Sequence, residues 1–180
     1  DAVIVEDIAR EVWELFRERA AADGIDLRLE VGADHPRRVD PDGMHSLVTN
    51  LVANAIDACR FDPDESKERH AIELRVDSGE DRELVVEVSD DGAGISSEDA
   101  ERVFEDFFST KGTEGTGLGL LIINRVVEQH TGSIDFHTRP GEGTRFVVRI
   151  PWDVPEPADG RAAESRRGES AQTALDPRHG

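Results

Sequence analysis

Asn50-Leu51-Val52-Ala53-Asn54-Ala55-Ile56-Asp57-Ala58 sits inside a segment, Pro41 to Arg60, whose apolar residues Leu47, Val48, Leu51, Val52, Ala55 and Ile56 recur at helical spacing. Asp40-Pro41 starts that helix, with proline at its first position. What flanks it decides the fold. Upstream, Ile25, Leu27, Leu29 and Val31 alternate with polar residues and predict a half-buried strand. Ahead of that strand, Ile4, Ile8, Val12, Leu15 and Phe16 form the apolar stripe of an amphipathic helix over Ile4 to Ala22, ended by Asp23-Gly24. A short extended piece is expected near Val39. Downstream, Phe61 to Arg69 is a polar, acidic loop. Two strands follow, Ala71 to Val76 and Glu83 to Ser89, joined by Asp77-Ser78-Gly79-Glu80.

A short helix over Ser97 to Phe104, capped by Ser96 or Ser97, comes next. A loop rich in glycine, serine and threonine then leads into a helix over Leu118 to His130. Ser133 to Thr138 and Thr144 to Ile150 close the order as a hairpin around Pro140-Gly141-Glu142-Gly143. Strand and helix do not alternate throughout, so a doubly wound parallel fold is disfavoured. The order predicts an α+β domain with three main helices on one face of a mixed, mostly antiparallel sheet. Beyond Trp152 the chain turns to proline, glycine, alanine and charge without periodicity. The expected organisation is a folded domain over 1–152 and a disordered tail over 153–180.

The net charge of −19 argues against nucleic-acid binding, which needs a basic face. Any anionic ligand would have to be held locally, by backbone amides, a metal ion and a few cations. Lysine occurs only at Lys67 and Lys111. The single Cys59 excludes an internal disulfide and fits a reducing, cytoplasmic setting. No apolar run approaches the length of a membrane span, so no direct membrane contact is expected from this stretch. The start at Asp1, without methionine, leads us to expect a piece of a longer protein, whose other parts could be membrane-anchored.

Four features carry chemistry. Asn50 and Asn54, four apart, project from one helix face, where their carbonyl oxygens suit Mg²⁺ or form a partly solvated edge. Asp90-Asp91-Gly92-Ala93-Gly94 follows a strand. Its first aspartate can accept from an exocyclic amine, with glycines admitting a flat base, or the stretch is an acidic turn. Gly115-Thr116-Gly117-Leu118-Gly119-Leu120 opens a helix from a glycine-rich loop, an arrangement that suits a polyphosphate or is a flexible helix start. Lys111 just upstream can reach a terminal phosphate as a point charge. Phe104, Phe107 and Phe108 cluster beside this loop as core or as its anchor.

In order and spacing together, these features resemble the GHKL ATP-binding superfamily, and within it the catalytic (HATPase_c) domain of two-component sensor histidine kinases. Asn50 to Ala58 resembles the N box, Asp90 to Gly94 the G1 box, Phe104 to Lys111 the F box and Gly115 to Leu120 the G2 box. The resemblance spans about Ile4 to Pro151 and implies the Bergerat two-layer α/β sandwich. It implies Mg²⁺ on Asn54, Asn50 close to the phosphates, and the adenine amine on Asp90, with Thr144 completing a network around the base. Gly92, Gly94, Ile95 and Phe104 fall at the nucleotide as well. The amides of Gly115, Gly117, Leu118 and Gly119 would meet the phosphates, joined by Lys111, with Thr116 and Leu120 also at the nucleotide. Asn50 and Lys111 are then the residues closest to the chemistry.

The implied activity is transfer of the γ-phosphoryl group of Mg-ATP to a histidine on a separate dimerisation and phosphoacceptor domain, which hands it on to a response regulator. None of the six histidines lies in a phosphoacceptor pattern. Where ATPase relatives resemble one another in a water-activating glutamate, this chain has Asn50, which cannot act as a general base. Two departures stand out: Asp106 where the family usually has proline, and Asp57 where many members have lysine. An anti-sigma-factor-type serine kinase and a nucleotide-gated, non-catalytic module are the alternative readings.

Overall fold

Asp40 accepts a hydrogen bond from the Asp42 amide (3.2 Å) and Pro41 occupies the first turn, so helix α2 runs Pro41–Arg60 as its capping residues dictate. The structure, a computed structural model, describes residues 2–108 and 118–152. Around α2 stand helix α1 (Val5–Ala22) and strands β1 (Val3–Ile4), β2 (Ile25–Val31) and β3 (Pro36–Arg37) on its N-terminal side. Strands β4 (His70–Ser78) and β5 (Glu83–Asp90) follow, then helices α3 (Ser97–Phe108) and α4 (Leu118–Gln129), and finally β6 (Ser133–Arg139) and β7 (Gly143–Pro151). The expected tail over 153–180 lies outside the described residues.

Five strands form one sheet in the order β2-β4-β5-β7-β6. Only β2 and β4 pair in parallel, and α2 is the crossover that such a pair requires. The other three pairings are antiparallel, so the mixed, mostly antiparallel α+β sandwich is found as read. Val12 of α1, Leu47, Val48 and Leu51 of α2 and Ile123 of α4 are essentially inaccessible and pack over the sheet with Leu74, Val86 and Val148. These are the three main helices. The fourth, α3, is longer than its predicted span: it runs on to Phe108, and Ser96 with Asp99 forms its capping pair.

The inward rows of the sheet are apolar until their last rung. Along β5 the alternation Leu84, Val86, Val88 ends on Asp90; along β7, Ile150, Val148 and Phe146 end on Thr144. On β6, Ile134 and Phe136 lead to Thr138, and the register sets Asp90, Thr144 and Thr138 side by side. The period-two alternation of a strand thus delivers three polar side chains to the helix layer at one end of the core.

At the opposite end a two-residue ribbon, β1 with β3, was not expected beyond a short extended piece. It is fastened by an ion pair that is fully buried on both sides: Arg37 holds both carboxylate oxygens of Glu6, at 2.7 and 2.8 Å. The same guanidinium donates to Ser78 Oγ and the His35 carbonyl and lies 5.1 Å from the Trp152 ring centroid.

Candidate functional site

Asp90 and Asp91 are adjacent, yet β5 sends them different ways. Asp91 Oδ1 takes the His70 Nδ1 and the Ala71 amide, both at 3.0 Å, and ties the loop after β5 to β4. The Asp90 carboxylate lies on the helix side, where Oδ1 accepts from the amides of Gly92 (3.0 Å) and Thr144 (3.3 Å). No described residue donates to Oδ2. Burial pushes Asp90 up from the usual 3.8 to about 6, against the pull of those two amides. The folded chain therefore holds this proton more tightly than the unfolded one. Its contribution to stability falls as pH rises from 3.8 to about 6 and is constant above.

Asp90 lines a cavity of about 230 Å³ together with Asn54, Ala55, Asp57, Ala58, Ile95, Leu120, Thr144 and Phe146. Five residues read from the sequence as site residues, Asn54, Asp90, Ile95, Leu120 and Thr144, are thereby brought together from α2, β5, α4, β7 and the loop after β5. Ile95 is held there because its amide donates to Thr138 Oγ1 (2.8 Å). Thr138 Oγ1 also donates to the Gly143 carbonyl and lies 2.9 Å from Thr144 Oγ1. Thr138 is a site residue that the sequence reading omitted, although alternation from Ile134 and its hairpin pairing with Thr144 point to it.

Asn50 stands beside this cavity. Its Nδ2 donates to the Ser46 carbonyl (2.7 Å), which leaves Oδ1 facing outward. A Cβ on Gly119 would lie 2.9 Å from Asn50 Oδ1 and 3.4 Å from Asn54 Oδ1, so glycine lets the first turn of α4 rest against both asparagines. Two neutral amide oxygens one helical turn apart are ligands that suit a hard divalent cation such as Mg²⁺.

Gly92 and Gly94, read as admitting a flat base, also have a packing role that was not read for them. They permit a close approach to the protein's own backbone. A Cβ on Gly92 would lie 2.6 Å from the Ala58 carbonyl oxygen of α2, and one on Gly94 (φ +66°) would overlap the Arg139 carbonyl. The glycines seat the loop between α2 and the β6–β7 hairpin, and the loop in turn orients Asp90. Phe104 lies in α3 and Leu118 opens α4. The readings on Lys111, Gly115, Thr116 and Gly117 fall outside the described residues.

The cavity thus combines a half-buried carboxylate at a strand end, Asn54 with Asn50 one turn away beside it, and the first turn of a helix. Residues 39–154 match the family model described as histidine kinase-, DNA gyrase B- and HSP90-like ATPase. The chain belongs to this ATPase family. The sensor-like histidine kinase SenX3 of Mycolicibacterium smegmatis is 36% identical over 164 residues, which are 87% of this chain and 40% of SenX3. The sensor protein SrrB of Staphylococcus aureus is 31% identical over 141 residues, 76% of this chain and 23% of SrrB. The chain thus spans less than half the length of these curated relatives.

Among solved structures, the catalytic domain of the histidine kinase ThkA is 30% identical with a TM-score of 0.64, covering 84% of this chain and 94% of that one. Full-length ShkA in complex with AMPPNP is 25% identical with a TM-score of 0.68, covering 86% of this chain and 31% of that one. This ATPase domain is of the histidine kinase catalytic type. Among its described residues no helix is long and apolar enough to cross a membrane.

Proposed function

We propose that residues 1–152 are the catalytic unit of a sensor histidine kinase. The unit binds ATP and donates its γ-phosphoryl group to a histidine of a separate dimerisation domain, from which a response regulator is charged. The observation that carries the reading is Asp90: a half-buried carboxylate on the helix side of the sheet, with Oδ1 held by two amides and Oδ2 left for a ligand. Such an oxygen accepts from the exocyclic amine of adenine. The keto oxygen of guanine offers it no donor.

With the base at Asp90, the phosphates run toward the start of α4, whose amide dipoles favour negative charge. Asn54, with Asn50 beside it, has its Oδ1 next to Gly119 in that turn and would hold Mg²⁺, which supplies charge neutralisation at the phosphates when bound. Lys111 and the amides of Gly115 to Gly117 join there by resemblance alone. The remaining task is positioning. A neutral imidazole nitrogen attacks the γ-phosphorus, the bond to the β–γ bridging oxygen breaks, ADP leaves, and the imidazole proton is lost to solvent. Asn50 cannot take a proton from water, so hydrolysis stays slow and the phosphoryl group is kept for the acceptor. The structure of ShkA with the ATP analogue AMPPNP and the sensor-kinase names of the relatives support this reading over a serine kinase. The buried Cys59 thiol, pushed up to about 12 by burial, is unreactive and suits work in the reducing cytoplasm.

The test mixes the chain, radiolabelled Mg-ATP and the dimerisation domain of the same kinase. The expected product is acid-labile, base-stable phosphoprotein. Acid-stable phosphoserine, or hydrolysis without transfer, overturns the assignment.

Acid should also weaken binding of the base. Adenosine, which has no phosphate to titrate, is the clean probe. Its affinity should be flat above the Asp90 value of about 6 and fall by about tenfold for each pH unit below it. Binding near that pH should release a proton, seen as a buffer-dependent calorimetric heat. An affinity constant from pH 8 to 5 would contradict the role of Asp90.

A further inference from the structure

Lys67 belongs to the polar segment between α2 and β4, where the sequence offers no reason to single it out. Its Nζ is nonetheless enclosed by oxygen. It donates to Asp62 Oδ2 (2.7 Å), to the Asp91 carbonyl (2.8 Å) and to the Gly141 carbonyl (2.8 Å), with the Gly92 carbonyl at 3.2 Å. An ammonium has three protons, so three short bonds and a shared fourth contact use its whole capacity. The Asp62 side chain is 1% exposed, and its hydrogen bond to Lys67 raises the lysine further above its usual range and keeps it charged.

Two separate arms meet on this one cation. Asp91 and Gly92 belong to the loop after β5, and Gly141 is at the turn of the β6–β7 hairpin. These arms supply the two amides that hold Asp90: Gly92 from the loop and Thr144 from the hairpin. Two further bonds join them directly, from the Gly141 amide to the Ala93 carbonyl (2.7 Å) and from the Ile95 amide to Thr138 Oγ1 (2.8 Å). Lysine's point charge suits three carbonyls and a carboxylate converging from different directions, a geometry that a planar guanidinium matches less well.

We propose that Lys67 is a positioning residue for base recognition: by clamping the loop after β5 to the β6–β7 hairpin, it fixes the orientation of the Asp90 carboxylate. The inference rests on the reading of Asp90 as the acceptor of the adenine amine. Without the clamp the loop is tied to the hairpin, among the described residues, only by the Gly141–Ala93 and Ile95–Thr138 bonds, the Gly92 amide is held less firmly against Oδ1, and the aim of Oδ2 loosens. Contacts to the phosphates, at the far end of the ligand, are not touched.

The experiment compares ATP with ITP, which has the same phosphates but a keto oxygen in place of the amine. Calorimetry on the wild-type chain should show a clear preference for ATP. In Lys67→Met the dissociation constant for ATP should rise by about tenfold, the loss of one well-aligned polar contact, while that for ITP stays within about twofold. The preference therefore shrinks by about the same factor. Lys67→Arg keeps charge and reach and should recover part of it. A merely structural role would weaken both nucleotides alike and leave their ratio unchanged, and that result overturns the proposal. If Lys67→Met melts below the assay temperature, Asp62→Asn decides by the same ratio, because it removes the anchor and leaves the lysine. Wild-type protein without preference for ATP would sink the base assignment itself. A preference retained in Lys67→Met and in Asp62→Asn would sink only the clamp.

Discussion

Asp90→Asn should abolish ATP binding while leaving the fold intact. The substitution changes one atom and one charge, and the geometry makes that atom decisive. Oδ1 already accepts from the Gly92 and Thr144 amides. The asparagine carbonyl must take that place, because its NH₂ group cannot face two N–H donors. The NH₂ group then occupies the Oδ2 position and points a donor at the adenine amine, which is also a donor. A site built to pair a polar group discriminates strongly once that pairing fails. We expect affinity to fall by at least about a hundredfold. The melting temperature should be unchanged or raised at neutral pH, since burial already disfavours the ionised aspartate. Calorimetry and a thermal melt together check this. Unchanged affinity refutes the adenine assignment, and lost affinity with a collapsed melt shows a structural role instead.

Glu6→Ala should have the largest effect on stability. Arg37 is fully buried, and Glu6 is the one carboxylate that faces it in the described structure. Removing that carboxylate strands a guanidinium in the interior with only Ser78 Oγ, the His35 carbonyl and the Trp152 ring. Breaking a buried pair from one side costs about 3–5 kcal/mol, which a denaturant melt resolves easily. The double variant Glu6→Leu with Arg37→Met should recover most of that loss, because both charges leave together. ATP affinity per folded molecule should be unaffected, since no residue of this pair lines the cavity. A Glu6→Ala protein as stable as the wild type would show that water reaches Arg37.

The contrast between these two ends explains how much could be read in advance. α2 was legible because a capped helix start and an apolar stripe are local signals, and the box of asparagines rides on it. Asp90 was legible as an aspartate at a strand end, whereas Thr144 and the choice of Asp90 over Asp91 came from the motif resemblance; the structure adds the reason for that choice, in that Asp91 is consumed by His70 and Ala71. Thr138 was legible in principle, since strand alternation marks it. Lys67 was not, because its four oxygen partners come from three segments up to 74 residues away. The ribbon of β1 with β3 escaped for another reason: two residues are too few to show a period. Gly92 and Gly94 carried the right signal with an incomplete cause, as glycine reports crowding without naming what crowds it.

The antiparallel pairing of β5 with β7 also fixes when a working site can exist. Asp90 receives its second amide from Thr144, 54 residues further along the chain. A growing polypeptide that has emerged from the ribosome as far as α4 has both asparagines and the carboxylate, yet only one of the two amides that aim it. Chains are made at about 5–20 residues per second, so this interval lasts seconds. Nucleotide can therefore serve as a folding ligand only after translation has passed β7. A fragment cut anywhere before Thr144 should be as blind to ATP as one lacking Asp90 altogether.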